Sequence, residues 1–149
     1  TGPVVESLQI HVSTLPLLES LQGGQALAYS YQVSIMTIND KSPFLYKLLS
    51  RHWKIMYSSN QVETVNGPGV IGLYPVLGTC FEEGSSWRGY SVNHIFRYES
   101  ICTEHVGSRP VSMNGSFTFQ VFDSRATSSE PVRIIVVPIA PFRFQPPII

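Results

Sequence analysis

The chain has 149 residues, of which 43% are hydrophobic and only 13% are charged. This length suits one domain, here residues 1–149, and the charged fraction lies well below the roughly 25% of an average soluble domain. Ten Lys and Arg balance ten Asp and Glu, so no overall field attracts nucleic acid, and any such contact would be local. No apolar run approaches the roughly 18 residues of a membrane span, and we expect no membrane contact.

The first half of the chain alternates apolar and polar residues, which predicts strands. An early strand is expected around Leu8, Ile10 and Val12. Residues 14–21 carry leucines, but Pro16 interrupts them and indicates a loop or a single turn. The clearest strand covers residues 27–35, with Leu27, Tyr29, Tyr31, Val33 and Ile35 on one face. Residues 39–43 then predict a turn.

The second half continues the same pattern. Residues 45–57 predict a strand with Trp53 and Ile55 pointing inward, and 62–65 predict a short one. Two further strands place apolar side chains on one face, first Phe96 and Tyr98, then Phe117, Phe119 and Val121. Residues 132–137 are almost wholly apolar, which predicts a central strand that Pro138 and Pro141 end.

Seven to eight short strands separated by Gly, Pro and Asn, without a sustained helical period, indicate an all-β fold. We predict a fibronectin-III/immunoglobulin-like β-sandwich. Both cysteines, Cys80 and Cys102, follow Trp53, which does not fit the immunoglobulin disulfide. Two cysteines are too few for a disulfide framework, and we expect reduced thiols in an intracellular protein.

Residues 78–93 predict a long loop inserted between strands, longer than usual. The loop contains Trp87 and Tyr90, which we expect to be exposed, with Arg88 between them. Exposed aromatics and arginine are typical anchors of protein interfaces. Trp87, Arg88 and Tyr90 are therefore the predicted partner-binding residues.

Residues 67–72 spell G-x-G-x-x-G, and two interpretations stay open. A phosphate-binding loop would need a following helix, and none is predicted; Pro68 also removes an amide donor. The alternative is a turn whose glycines supply positive φ. If an anion binds, Arg51, Gly67, Gly69 and Gly72 are the candidate residues.

The sequence offers little for catalysis or metal binding. The four histidines lack ligand spacing, and no Cys-x-x-Cys occurs. No nucleophile motif or paired carboxylates stand out. On strand 45–57, Arg51 and Trp53 share a face and His52 takes the other. The basic residues around them favour a solvated surface or a small local nucleic-acid contact. We predict no cofactor, no metal and no enzyme.

Several segments, in order and spacing, resemble the ApaG domain family over roughly residues 5–145. The segments are LLSRHWKI (48–55), VNGPGVIG (65–72), YPVL (74–77), FRYES (96–100), MNGSFTF (113–119) and VVPIAPF (136–142). Tyr57 and Asn60 stand where the family has Asp and Gly, and residues 78–93 replace a short turn. The chain is thus identified as a divergent member.

The resemblance implies a fibronectin-III-like sandwich without an established catalytic activity. Family members occur as stand-alone bacterial proteins, in F-box proteins and in a mitochondrial polymerase-delta-interacting protein, and their common thread is protein binding. We therefore expect a protein-binding module, either a subunit of a larger assembly such as a mitochondrial ribosome or a recognition domain of a longer protein. The location is intracellular, mitochondrial or cytoplasmic. The alternative is a nucleotide-binding protein or enzyme that uses residues 67–72.

Overall fold

The computed structural model describes residues 1–22, 25–38, 42–79, 85–105 and 107–144. Its strands are β1 (Leu8–Pro16), β2 (Leu21–Gln22), β3 (Gln25–Ala26), β4 (Ala28–Thr37), β5 (Phe44–Tyr57), β6 (Val62–Pro68), β7 (Val76–Leu77), β8 (Ser85–Trp87), β9 (Tyr90–Asn93), β10 (Ile95–Thr103), β11 (Pro110–Asp123) and β12 (Arg133–Arg143). A single 3₁₀ turn at Leu18–Ser20 follows β1. Cys80 and most of the turn predicted over 39–43 lie outside the described residues.

Two sheets face each other across one core. The smaller sheet has the order β1-β4-β10, and the larger has β12-β11-β5-β7-β9-β8, with β6 also paired to β5. Buried residues of both sheets form one hydrophobic cluster between them. The predicted all-β sandwich is confirmed, and its long strands are the seven named β1, β4, β5, β6, β10, β11 and β12. Within the described residues, no helix is long and apolar enough to span a membrane.

The period of two in the sequence produces the buried faces of these strands. In β4, the side chains of Tyr29, Tyr31, Val33 and Ile35 are all 8% exposed or less. They alternate with Ser30 and Gln32, which face away from the core, and β1 and β10 pair antiparallel on either side. The strand predicted over 27–35 is thus confirmed from Ala28 onward, whereas Leu27 precedes the strand and is only half-buried.

Trp53 lies at the centre of the core. It is 2% exposed, and its ring centroid lies 5.7 Å from that of Tyr31, 5.9 Å from Phe117 and 6.1 Å from Phe142. Tyr31 belongs to the smaller sheet and both phenylalanines to the larger, so this indole joins the two sheets. Gly115 stands opposite Trp53 on β11, where a Cβ atom would overlap the carbonyl oxygen of His52.

The prediction of a central strand over residues 132–137 is wrong. In the described chain, β12 pairs only with β11 and ends its sheet, and it continues through both prolines to Arg143. An edge strand tolerates proline because the missing N–H is not needed on its open side. Val137 and Ile139 face the core, whereas Ile134 and Val136 expose 60% and 56% of their surface on the outer face.

Residues 78–93 contain a hairpin of β8 and β9, and β9 pairs in parallel with β7. This hairpin contributes Trp87 and Val92 to a second hydrophobic cluster. The other members of that cluster are Leu45, Val76 and Phe122. The prediction of a long loop over residues 78–93 is therefore wrong at Ser85–Trp87 and Tyr90–Asn93, where the chain forms paired strands.

Glu6 holds the start of the chain against the larger sheet. Its carboxylate accepts hydrogen bonds from Arg133 Nε at 2.9 Å, from Arg133 Nη2, and from Tyr46 Oη at 3.3 Å. The Arg133 guanidinium also lies 4.6 Å from the centroid of the Phe44 ring. The hydrogen bond from Arg133 lowers the pKa of Glu6 below its ordinary value of 4.5.

We expect Trp53→Ala to lower the free energy of unfolding by about 3–5 kcal/mol, because it leaves a cavity at the contact between the sheets. Leu15→Ala is the matched control, since Leu15 is 65% exposed, and its effect should stay within about 0.5 kcal/mol. Urea denaturation followed by circular dichroism measures both. A loss below about 1 kcal/mol for Trp53→Ala would place the indole outside the structural centre.

We expect Glu6→Gln to lower stability at neutral pH, with an effect that disappears in acid. A carboxylate with a lowered folded-state pKa stabilises the fold above its unfolded pKa, and this contribution is lost as pH falls through the folded pKa. The gap between wild type and Glu6→Gln should therefore be full at pH 7 and close below Glu6's ordinary pKa of 4.5. Urea midpoints across this range, with exposed Glu99→Gln as control, measure it; a pH-independent gap contradicts the assignment.

Candidate functional site

The glycine-rich segment forms a tight turn. Val70 N–H donates to Leu73 O at 3.0 Å, and Leu73 N–H donates back to Val70 O at 2.7 Å. The two residues between them, Ile71 and Gly72, have φ of 45° and 77°, which is the two-residue hairpin turn with positive φ at both central positions. Gly69 also has positive φ, 58°, so the interpretation of a turn that needs glycine is confirmed.

Arg51 lies beside this turn and binds its carbonyl groups. Its Nη1 donates to Pro68 O at 3.2 Å and to Gly69 O at 2.9 Å. The guanidinium lies across Gly67, where a Cβ atom would be only 2.9 Å from Nη1. The fold therefore brings the candidate residues Arg51, Gly67 and Gly69 together, with Gly72 at the tip of the turn.

The backbone amides of the turn are largely occupied. Gly69 N–H donates to Leu49 O at 2.7 Å, and Val70 and Leu73 donate to each other. A phosphate cradle needs several free N–H groups that converge on one point. These three amides are used to close the turn, so its geometry favours a structural role.

A cleft of about 300 Å³ opens between the edge strands β6 and β10, one from each sheet. Arg51 lies at one end of the cleft, near Tyr31 and Ser100. The walls are mostly formed by inward-facing side chains. The other lining residues are Trp53, Ile55, Tyr57, Glu63, Val65, Ile101, Cys102, Thr103, Glu104, His105 and Met113.

Glu63 organises the other end of the cleft. Its carboxylate accepts a hydrogen bond from Tyr57 Oη at 3.2 Å, and His105 Nδ1 lies 3.4 Å from the second oxygen. The rings of Tyr57 and His105 are 5.3 Å apart. Sequence patterns did not reveal this group, because Glu63 and His105 lie 42 positions apart by their numbers and meet only where the two sheets pack together.

Burial disfavours the ionised, nucleophilic forms of Cys102 and Tyr57 in the cleft. Burial, with the nearby Glu63 charge, raises the pKa of the free Cys102 thiol to about 12, and a thiol acts as a nucleophile in its thiolate form. Burial likewise raises the pKa of Tyr57. Across the described residues, no group of three or more His, Cys, Asp or Glu side chains could hold a metal ion.

The predicted partner-binding residues do not form one exposed patch. Trp87 is only 9% exposed, so the prediction that it is exposed is wrong; its ring centroid lies 5.2 Å from that of Phe122. Arg88 lies over the Trp87 ring at 4.9 Å and donates through Nη2 to the carbonyl oxygens of residues 126, 127 and 128. Tyr90 is 38% exposed, and its hydroxyl accepts a hydrogen bond from Lys47 Nζ at 2.8 Å.

Tyr90 borders a shallow groove of about 390 Å³ on the outer face of the larger sheet, with Lys47 and Gln120 at its base. Sequence reasoning missed the neighbouring row of exposed aliphatic side chains. The row consists of Val132, Ile134 and Val136, which are 50%, 60% and 56% exposed. Pro138 and Pro141 are the sequence feature that could have revealed this row, because prolines within an apolar strand indicate an edge strand.

We expect Gly69→Ala to destabilise the fold more than Gly72→Ala. Both positions have positive φ, which costs roughly 1–2 kcal/mol for a residue with a Cβ atom. A Cβ at Gly69 would also overlap the Leu73 carbonyl oxygen, whereas one at Gly72 meets nothing within 4 Å. Urea denaturation of the two variants measures the difference, and equal losses would show that the turn relaxes around the added methyl group.

A family model and individual relatives that match this chain carry the same family name. The family model described as the ApaG domain matches residues 19–87. Protein ApaG of Chromohalobacter salexigens is 34% identical over 146 residues, which cover 97% of this chain and 94% of that protein. Protein ApaG of Acidithiobacillus ferrooxidans is 35% identical over 138 residues, covering 91% and 87%.

Two solved structures share the fold. A structural genomics target superimposes with a TM-score of 0.65 at 20% identity, covering 97% of this chain and 91% of its own. A Bordetella pertussis protein described as ApaA gives 0.60 at 21% identity, covering 94% of each chain. Since the relatives match in sequence over nearly the whole chain and the neighbours share its sandwich, the resemblance seen in the sequence is confirmed, and the chain belongs to the ApaG domain family.

Proposed function

We propose that this domain is a non-catalytic protein-binding module and that its partner binds the outer face of the larger sheet. The observation that carries the proposal is the row of Val132, Ile134 and Val136, which expose 50–60% of their surface at the start of the edge strand β12 and just before it. Covering an aliphatic side chain of this size is worth about 1.5–3 kcal/mol when burial is complete. Exposed apolar side chains that lie next to one another, unlike those scattered singly, are candidates for an interaction site.

Strand pairing connects this row to Tyr90. Ile134 is the cross-strand neighbour of Gln120, Gln120 is that of Lys47, and Lys47 donates to the Tyr90 hydroxyl. The outer face therefore carries aliphatic side chains at one side and an aromatic side chain with a lysine at the other. Aromatic anchors beside apolar surface and a polar rim are the usual composition of a protein interface.

The alternative, a nucleotide-binding protein or enzyme using residues 67–72, receives less support. Arg51 is next to the turn, but it contacts carbonyl oxygens, and the amides of Gly69, Val70 and Leu73 are already paired.

The basic residues of β5 lie in two different environments. Arg51 lines the inner cleft, while Lys47 contacts Tyr90 on the outer face. A continuous basic stripe for nucleic acid is thus not formed by these two side chains.

The proposal places the module inside the cell, as a subunit of a larger assembly or a recognition domain of a longer protein. The buried free thiol of Cys102 fits a reducing environment. The relatives named above are bacterial proteins. They give no support to a mitochondrial or ribosomal setting, and the proposal does not depend on one.

Ile134→Glu tests the proposed interface. A charge in the middle of the aliphatic row should leave the fold intact, because the side chain is 60% exposed, and should strongly weaken partner recovery. Leu15→Glu is the matched control, since Leu15 is 65% exposed on the smaller sheet. Quantitative affinity purification from native lysate with mass spectrometry compares both variants with wild type.

Loss of a specific protein with Ile134→Glu and its retention with Leu15→Glu would support the proposal. Equal recovery by wild type and Ile134→Glu would contradict it and move the interface elsewhere. Circular dichroism of each variant separates loss of binding from loss of folding.

A further inference from the structure

The cleft between β6 and β10 is independent of the proposed outer-face interface. It opens on the inner side of the sandwich, and Val65 of β6 and Ser100 of β10 line it from different sheets. Arg51 shares the inward face of β5 with Trp53, which is an uncommon position for a cation. Gly67 makes this position available, because any Cβ atom there would crowd the guanidinium.

The Arg51 end of the cleft has unused capacity to bind an anion. Nη1 donates to two carbonyl oxygens, but Arg51 forms no ion pair in the part of the chain that the structure describes. A guanidinium has five N–H donors in a planar fork that matches a carboxylate. The hydroxyl groups of Tyr31 and Ser100 lie at the same end and offer further hydrogen bonds.

The opposite end carries negative charge. Arg51 pairs with Gly67 on β6, and Glu63 precedes Gly67 by four residues on the same strand. Four residues of strand span about 13 Å, so the cation and the carboxylate are well separated along the cleft. Exposed Glu104 lines the same end as Glu63, and Tyr57 and His105 fix the orientation of the Glu63 carboxylate.

Between these ends, Ile55, Val65 and Met113 contribute apolar side chains to a cleft whose accessible surface as a whole is mainly polar. Trp53 also lines it, although it is only 2% exposed, and Ile101 contributes near the opening. A volume of about 300 Å³ lies at the small end of the range for ligand pockets. The space fits a small molecule with a narrow apolar body and charged groups at its two ends.

We propose that this cleft binds a small zwitterion whose carboxylate meets Arg51 and whose ammonium group meets Glu63 and Glu104. The apolar spacer of the ligand lies along Trp53 and Val65. A cation paired with a carboxylate through two hydrogen bonds gives both strength and orientation. The opposite charges at the ends select against ligands that carry only one charged group.

The test uses three probes of equal chain length: 8-aminooctanoate, octanoate and octylamine. Each is titrated into the protein and followed by the indole N–H signals in ¹H–¹⁵N NMR spectra, with Trp87→Phe used to assign the Trp53 signal. We expect saturable shifts at Trp53, with 8-aminooctanoate binding more tightly than either singly charged probe. Arg51→Gln should weaken the binding of 8-aminooctanoate about tenfold or more, and Glu63→Gln should reduce the preference for 8-aminooctanoate over octanoate, because Glu104 remains.

Two further variants separate binding from folding. Lys54→Gln removes one positive charge from the same strand on the opposite, exposed face, and it should leave the affinity unchanged. Val65→Phe fills the cleft without changing its charge and should abolish binding, which keeps the test valid if Arg51→Gln disturbs the glycine turn. No saturable binding of 8-aminooctanoate below about 10 mM, unchanged binding by Val65→Phe, or octanoate binding as tightly as 8-aminooctanoate would each overturn the proposal.

Discussion

The packing of Trp53 between the two sheets is the contact on which the rest of the sandwich depends. Its indole touches Tyr31 of the smaller sheet and Phe117 and Phe142 of the larger one. Large rings fill the interior on the β11 and β12 side. On the β6 and β10 side, the core side chains leave a cleft of about 300 Å³, which Val65 and Ser100 line from different sheets. The same core therefore creates both the stability of the domain and the cleft.

Arg51 shows how this interior accommodates a charge. A guanidinium on an inward face would be costly without hydrogen-bond acceptors. The Val70–Leu73 turn brings the carbonyl oxygens of Pro68 and Gly69 to Nη1, and Gly67 leaves room above the guanidinium plane. The glycines of this segment thus serve two purposes: positive φ at Gly69 and Gly72, and space at Gly67. Both purposes concern the backbone and its arginine, and neither requires a bound phosphate.

The outer face of the larger sheet, unlike the cleft, presents a row of aliphatic side chains to solvent. Its aliphatic row lies on an edge strand, a position that invites association with other chains. Pro138 lies on this strand and offers no N–H for pairing. A partner would therefore contact the side chains of Ile134 and Val136 more readily than extend the sheet through backbone hydrogen bonds. Side-chain recognition of this type allows specificity while limiting uncontrolled strand addition.

The sequence by itself determined the all-β class, the family and the inward faces of β4, β5 and β11. The alternation around Tyr29 to Ile35 and the shared face of Arg51 and Trp53 depend only on the period of two in an extended chain, which is a local property. The same holds for the glycine turn, because positive φ is a local demand on residues 69 and 72.

Only the tertiary structure decided which strand lies at an edge, that Trp87 is buried against Phe122, and that Glu63 meets Tyr57 and His105. An apolar run such as residues 132–137 has the same pattern in a central strand and in an edge strand that presents a binding surface. The difference comes from pairing between segments far apart in the chain, and the periodicity of a single segment contains no information about its neighbours.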